Sequence, residues 1–376
     1  MPPSPEVVVL GAGPSGLAVG ACLRQRGVTF SLLERAAAVG SAWRNHYDRL
    51  HLHTVKQHSA LPFAPFPDHV PQYPSRQDVV DYLDAYARHF DLAPRFGEGA
   101  SRVARADGRY VVTHTTGTTT ARAVVVATGY NRVPLVPRWP GDDRFVGAIT
   151  HSSGYHHGRA WRGKRALVVG AGNSGAEIAM DLWEAGASSV ALCIRGPLHV
   201  MPRDLYGVPA QVNSLRLAGR LPPRVADVIS LALVDRALGD LSPWGIRRPA
   251  RGPVTQLLEE KRVPLIDVGT VALIKQGKIR VVPGITRFTE TGVVFEDGRE
   301  LPFDVVVLAT GYRTGIDEFL DGAREVLDGR GHPRAYGAEA APGLYFVGYR
   351  NPITGQLHDI AREAERVAEH IARRTS

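Results

Sequence analysis

Val7-Val8-Val9-Leu10-Gly11-Ala12-Gly13-Pro14-Ser15-Gly16 and Ala166-Leu167-Val168-Val169-Gly170-Ala171-Gly172-Asn173-Ser174-Gly175 are the two stretches on which the fold turns. In each, four apolar residues that read as a buried strand run into glycines spaced G-x-G-x-x-G, and helix-compatible sequence follows. The spacing has a mechanical meaning. The first glycine makes a tight turn, the second lets the backbone approach a pyrophosphate, and the third lets helix and strand pack closely. The helix N-terminus then faces the phosphates with free N–H groups and a partial positive charge. One such motif is weak evidence; two, each in its strand-turn-helix context, predict two dinucleotide sites.

The residue ending the next strand tells the sites apart. After the first motif, Thr29-Phe30-Ser31-Leu32-Leu33 ends in Glu34-Arg35, at the interval where an acidic side chain takes the adenosine ribose hydroxyls and repels a 2′-phosphate. That suits FAD or NAD. After the second, Val190-Ala191-Leu192-Cys193-Ile194 ends in Arg195, whose planar guanidinium pairs bidentately with a phosphate. NADPH is the expected guest there, with Arg203 as a second cation for the 2′-phosphate.

With 376 residues, 44% of them hydrophobic, the chain can build two domains with their own cores. Its net charge of +8 is dispersed, without a basic run, an aromatic-interleaved basic stripe or zinc-finger spacing, so nucleic acid is not an expected partner. A modest positive field favours NADPH and an anionic small-molecule substrate. The two cysteines, Cys22 and Cys193, fall in a predicted helix and a predicted strand. They do not form the close redox pair of a flavin disulfide reductase. The histidines show no metal-ligand spacing such as HExxH, so no metal is expected. The first apolar stretch is already a strand of the fold rather than a leader, and no stretch reaches the roughly 20 apolar residues of a membrane span. A cytoplasmic protein is expected. Residues 225–238 come nearest to a span but carry two aspartates and an arginine. They read as an amphipathic helix that covers a cleft or makes the subunit contact of a homodimer, within a segment, 213–251, whose apolar, proline-rich texture predicts a lid or wall near the substrate entrance.

Along the chain, the first strand-turn-helix unit runs to about Gly40. A loop-rich stretch follows, from Trp43 through the proline-dense residues 61–74. Residues 78–90 show helical periodicity, with Val79, Tyr82, Leu83 and Tyr86 on one face. Strands are expected around 102–103, 110–114 and 123–127, the last ending in Ala127-Thr128-Gly129-Tyr130. That ending returns in Val305-Val306-Val307-Leu308-Ala309-Thr310-Gly311-Tyr312, so each half closes a nucleotide-binding sheet with the same turn. The expected fold is α/β: two Rossmann-like dinucleotide-binding domains, with an NADPH domain (160–290) inserted in a discontinuous FAD domain (1–159 and 291–376). The last piece adds a strand and turn ending at Gly348 and a helix from about Leu357 to Arg373. A helix N-terminus at Gly355 to His358 suits the pyrimidine end of a flavin, where reduction builds negative charge.

Between the two fingerprints, Phe145-Val146-Gly147-Ala148-Ile149-Thr150-His151-Ser152-Ser153-Gly154-Tyr155 matches the FxGxxxHxxxY signature of class B flavin monooxygenases. The terminal Tyr resembles the flavin-containing monooxygenase branch rather than the Baeyer-Villiger branch, and Leu308-Ala309-Thr310-Gly311-Tyr312 resembles that branch's second marker. Asp317 stands where N-hydroxylating relatives carry His or Pro. Over nearly the whole chain the sequence is similar to the YUCCA-type enzymes, through Trp43, Tyr47-Asp48-Arg49-Leu50, Lys56-Gln57, Phe66-Pro67, Tyr73-Pro74-Ser75 and His199-Val200-Met201-Pro202-Arg203.

The resemblance implies that NADPH reduces FAD, that reduced flavin captures O2 as a C4a-(hydro)peroxide, and that one oxygen atom passes to a small molecule. For a YUCCA-type enzyme this is first the oxidative decarboxylation of an aryl-2-oxo acid such as indole-3-pyruvate. The alternatives are N- or S-oxygenation of an amine or sulfide, or release of hydrogen peroxide. The resemblance also implies roles. His53 falls where mammalian-type relatives place an Asn beside the flavin's reactive edge, and a histidine there can donate a hydrogen bond or move a proton near neutral pH. Lys56 and Gln57 are expected to face the flavin or a substrate carboxylate, and His151, Ser152 and Ser153 to hold the nicotinamide half of NADPH. Trp43, Thr128, Gly129, Thr310 and Gly311 join Gly11, Gly13, Pro14, Ser15, Gly16, Gly170, Gly172, Asn173, Ser174 and Gly175 as expected cofactor contacts.

Overall fold

The structure is a computed structural model that describes residues 5–217, 221–260, 262–350, 352 and 354–375. In chain order, the elements that matter here begin with β1 (Val7–Leu10), α1 (Pro14–Gln25), β2 (Phe30–Glu34), α2 (Arg76–His89), β3 (Ala123–Val126), β4 (Ala148–His151) and β5 (Arg165–Val169). They continue with α3 (Asn173–Glu184), β6 (Ser189–Cys193), α4 (Pro223–Leu238), β7 (Ile279–Val282), β8 (Val305–Leu308), β9 (Leu344–Phe346) and α5 (Gln356–Thr375). The chain forms two compact units, one of Met1–Arg44, Thr54–Val133 and Tyr312–Ser376, the other of Asn45–His53 and Pro134–Gly311.

The first unit is built on a six-stranded sheet in the order Glu339–Ala341, β9, β3, β1, β2, Arg95–Phe96. All of β1 and β3 is buried, as expected of parallel strands covered on both faces, which read as unbroken Val and Leu runs. Register is regular, with Val8 opposite Ser31 on one side and Val124 on the other. A three-stranded antiparallel sheet (Ala100–Ala106, Arg109–His114, Gly117–Ala121) packs Val103, Tyr110, Val112 and Ala121 into the same core as Val8, Leu10, Val124 and Phe346. Its first turn is Asp107-Gly108, both at positive φ, the pairing a tight hairpin requires. Helix α2 starts two residues earlier than its periodicity predicts. The Ser75 hydroxyl accepts from the Asp78 amide (3.1 Å) and the Asp78 carboxylate accepts from the Ser75 amide (2.8 Å), a reciprocal cap.

The second unit carries a five-stranded sheet in the order β7, β6, β5, β8, β4, every neighbouring pair parallel. This corrects the boundaries expected from sequence. Strands β4 and β8 both lie outside 160–290, yet β8 pairs with β5 and β4 pairs with β8, so the unit runs from Pro134 to Gly311. Residues 45–53, assigned by position to the FAD domain, also belong here. Tyr47 is 2% exposed, in a core with Tyr155, Ala176, Ile178 and Leu182.

Helix α4 is the helix read from residues 225–238. Its Asp227 is buried and caps the neighbouring helix Pro253–Glu260, accepting from the Val254 amide (2.7 Å) and the Thr255 hydroxyl (2.5 Å). Val225, Val228, Ile229 and Leu233 are exposed. Val234, Leu241 and Ile246 wall a cavity of about 510 Å³ together with Leu198 and Val200. Residues 218–220 of the 213–251 segment lie outside the described residues. No helix among the described residues is long and apolar enough to cross a membrane.

Candidate functional site

Both fingerprints close in the same way. A Cβ placed on Gly16 would lie 1.7 Å from the Gly11 carbonyl oxygen, and one on Gly175 would lie 1.8 Å from that of Gly170. The third glycine is thus obligatory, because helix and preceding turn touch through backbone. The first glycines, Gly11 and Gly170, sit at φ +104° and +109°, a region side chains avoid. Above them lie the carbonyls of Ala127 and Ala309, 2.7 and 2.5 Å from where a Cβ would be. This explains the repeated Ala-Thr-Gly-Tyr ending: each copy runs over the turn of its own fingerprint. The middle glycines differ, since a Cβ on Gly13 or Gly172 would meet nothing within 4 Å. Helices α1 and α3 start there without side-chain caps, leaving first-turn N–H groups directed at open space. Two uncapped N-termini beneath side-chain-free positions fit two dinucleotide pyrophosphates.

The flanking residues fit two different nucleotides. Glu34 is buried, and its carboxylate accepts from the Ala12 amide (2.7 Å) and the Ala36 amide (2.9 Å), which fixes it at the first fingerprint; Arg35 beside it is exposed. Arg195 is exposed and makes no ion pair among the described residues, so its guanidinium is available to an anion. Arg203 instead pairs with Asp204 at 3.2 Å. Asn173 turns away from the fingerprint to accept from the Ile266 amide at 2.8 Å.

The segment read as a family signature is a brace within the second unit. Phe145 packs in a core with Leu167, Phe288 and Val306. His151 ends β4, its Nδ1 accepting from the Ser153 amide (3.1 Å) and its Nε2 donating to the Gly311 carbonyl (3.1 Å); burial lowers its pKa, which favours this neutral form. Ser152 and Ser153 open the short turn that follows. Tyr155 is buried and donates to Asp181 on α3 (2.5 Å), which also takes the Gly158 amide (2.7 Å). The signature therefore ties β4 both to the Gly311 turn and to the fingerprint helix. Thr310 donates to the Leu135 carbonyl (2.6 Å), while Thr128 shares a hydrogen bond of 2.7 Å with Tyr349 in the first unit.

His53 lies in the second unit, with Nε2 2.7 Å from Glu177 Oε1 on α3. Lys56 departs from expectation. Its ammonium donates to the carbonyls of Pro67 (3.3 Å), Asp68 (2.8 Å) and Val70 (2.7 Å). An ammonium has three protons, so none remains for a substrate carboxylate, and Lys56 shapes its loop instead. Lys56→Met should lower the unfolding temperature while leaving KM for an anionic substrate unchanged; a tenfold rise in KM, about 1.4 kcal/mol, would return the lysine to the substrate. Gln57 is exposed, and Trp43 is half-buried in the short helix Ser41–Arg44.

At the C-terminal end, a Cβ on Gly348 would sit 2.0 Å from Ser15 Oγ, so this turn lies against the start of α1. Gly355, at φ +100°, leads into α5, on which Leu357 is buried. The Gly348 amide donates to Glu363 Oε2 (2.9 Å), and Oε1 of this buried residue has no partner among the described residues. Burial raises the Glu363 pKa. Compared with the unfolded chain, the folded state thus favours the neutral acid, and stability falls as pH climbs past the ordinary value of about 4.3 and through the raised folded value. Glu363→Gln keeps the acceptor for Gly348 without a charge to bury. It should raise the melting temperature at about pH 8 and change it little at about pH 4; equal shifts at both would exclude Glu363 as the titrating group.

These features define a flavoprotein oxidoreductase with separate FAD and NADPH units. The pyridine nucleotide-disulphide oxidoreductase family model matches residues 8–206. Dithiol chemistry does not follow from that match: Cys22 and Cys193 are both buried, one in each unit, and burial pushes each thiol up to about 12. The indole-3-pyruvate monooxygenase YUCCA1 of Oryza sativa subsp. japonica is 41% identical over 92% of this chain and 86% of its own length. YUCCA6 of Arabidopsis thaliana is 40% identical over 97% and 89%. Among solved structures, a flavin-containing monooxygenase from Stenotrophomonas maltophilia covers 99% of both chains at 26% identity, with a TM-score of 0.74. The chain belongs to the YUCCA-like flavin-containing monooxygenases, class B flavoenzymes that use FAD, NADPH and O2.

Proposed function

We propose that the chain converts an aryl-2-oxo acid, indole-3-pyruvate or a close analogue, to the acid one carbon shorter. The balance is one 2-oxo acid, O2, NADPH and a proton giving one carboxylic acid, CO2, NADP+ and water. The observation that supports this most is the 41% identity, over 92% of the chain, to a relative named for that substrate. FAD, when bound, takes the hydride from NADPH and delivers one oxygen atom of O2.

The protein's own part is to hold and to position. The α1 N-terminus with Gly13, Pro14 and Ser15 would hold the FAD pyrophosphate, and Glu34 the adenosine ribose. The α3 N-terminus with Gly172 and Ser174 would hold that of NADPH, and Arg195 its 2′-phosphate. Trp43, Thr128, Gly129, Gly348, Gly355 and Leu357 complete the FAD set, and His151, Ser152, Ser153, Thr310 and Gly311 the NADPH set. His53 is assigned to proton handling during oxygen transfer. Reaction in the cytoplasm, where NADPH is supplied, is part of the same reading.

The test is product analysis of FAD-loaded enzyme supplied with NADPH and indole-3-pyruvate, phenylpyruvate, an amine or a sulfide. Stoichiometric arylacetate and CO2 per NADPH support the proposal. An N- or S-oxide, or hydrogen peroxide alone with every substrate, refutes it.

A further inference from the structure

A glutamate lies one turn inside the NADPH fingerprint helix, and no lysine or arginine pairs with it among the described residues. Glu177 is 3% exposed, and burying a carboxylate costs several kcal/mol unless charge or hydrogen bonds compensate. Its contacts come from one direction. His53 Nε2 is 2.7 Å from Oε1, with the imidazole side chain 15% exposed. The Tyr47 hydroxyl is the other polar group beside Glu177, with the Ser174 hydroxyl next to it. Burial first, then the charge on Glu177, raises the Tyr47 pKa well above the ordinary value, so the phenol keeps its proton beside the carboxylate. Arg49, the nearby cation, is taken by Glu184 at 2.5 Å. Ser174 belongs to the fingerprint itself, so the chain of contacts runs Ser174, Tyr47, Glu177, His53.

We propose that Glu177, supported by Tyr47 and Ser174, is the positioning residue for His53: it anchors Nε2–H and leaves Nδ1 as the ring atom that works in the reaction. This rests on the reading that His53 takes part in oxygen transfer. An imidazole held by a carboxylate on one nitrogen keeps its ring plane and its protonated atom fixed while the other nitrogen accepts or gives a proton. Packing alone would not require a carboxylate buried to 3% exposure and set 2.7 Å from an imidazole nitrogen. The arrangement also attaches the histidine to the helix expected to carry NADPH, so its orientation is set by the nucleotide unit.

The experiment uses holoenzyme with FAD and NADP+, labelled with 15N-histidine, as wild type, His53→Ala, Glu177→Gln and Tyr47→Phe. The wild type should show a slowly exchanging, low-field Nε2–H resonance that is missing in His53→Ala. In Glu177→Gln that proton should move upfield and exchange at least about tenfold faster. Product formed per NADPH should fall by about tenfold, with KM for NADPH held within about twofold. Tyr47→Phe, which keeps the carboxylate, should show a smaller change in the same direction and guards against a fold defect in the glutamine variant. A resonance unchanged in Glu177→Gln, or one located on Nδ1, overturns the assignment. Altered nitrogen spectra with undiminished coupling would overturn its role in the reaction. Wild-type coupling in His53→Ala would overturn the underlying reading of His53, while the spectra still decide whether Glu177 holds the ring.

Discussion

Gly175→Ala is expected to abolish reduction of the flavin by NADPH, whereas Gly172→Ala, three positions earlier, should leave the unfolding temperature unchanged and raise KM for NADPH. The contrast follows from what each new methyl group meets. At Gly175 it would lie 1.8 Å from the Gly170 carbonyl oxygen, with the Ala309 side chain at 3.3 Å. Backbone cannot yield as a flexible side chain can, so α3 must move off β5. Overpacking of this kind costs about 1–3 kcal/mol or more, and the displaced N-terminus no longer points at a phosphate. A loss of at least about 100-fold in kcat/KM for NADPH is expected, equivalent to about 2.7 kcal/mol. At Gly172 the methyl group meets no protein atom within 4 Å, so the fold pays nothing. It would stand where a pyrophosphate approaches, and a rise in KM of about tenfold, or 1.4 kcal/mol, is expected. Equal effects of the two substitutions on stability would contradict this account. So would a Gly172→Ala enzyme with unaltered KM.

Arg195→Ala should change the choice of nucleotide without changing stability. The guanidinium is exposed and pairs with no carboxylate among the described residues, so its removal breaks no internal contact. Hydrogen bonds to charged groups contribute about 1.5–3 kcal/mol each. Losing a bidentate pair with the 2′-phosphate should therefore raise KM for NADPH by about 10- to 100-fold while leaving KM for NADH nearly as it was. Rising salt should weaken the wild-type preference and spare the variant, because screening acts on the phosphate interaction alone. If both nucleotides suffer alike, Arg195 is not at the phosphate.

The nucleotide turns were legible because they obey local rules: a buried Val-rich strand, glycines where backbone must touch backbone, and a helix directly behind. The repeated Ala127-Thr128-Gly129-Tyr130 and Ala309-Thr310-Gly311-Tyr312 endings were legible as a symmetry, although their lying over Gly11 and Gly170 was not. Sheet membership was less accessible, since Val305–Leu308 has the composition of a buried parallel strand in either sheet, and only long-range pairing with Arg165–Val169 decides. The polar strand Gly117–Ala121 left no hydrophobic alternation to read. The loop contacts of Lys56 are not legible in sequence because its three acceptors are backbone carbonyls in a turn at residues 67–70, and carbonyls have no sequence signature. Glu177 is illegible in sequence for a related reason. A glutamate on a helix reads as a solvated face, and its histidine partner is 124 residues away. The available signal was its position one turn behind Gly172-Asn173-Ser174-Gly175, on the side of α3 that also carries buried Met180 three residues on.

Residues 45–53, supplied by one part of the sequence and folded into the other unit, constrain how such enzymes can be recombined. A chimera that exchanges only 134–311 between homologues would leave Tyr47 and His53 of one parent against α3 of the other, and any mismatch there would strand the Glu177 carboxylate in an apolar interior. Transplanting 45–53 together with 134–311 keeps the graft whole. For the same reason, selection on nucleotide use should act on this short upstream peptide as well as on the fingerprint, so the unit of inheritance for NADPH handling is two separated stretches of the gene.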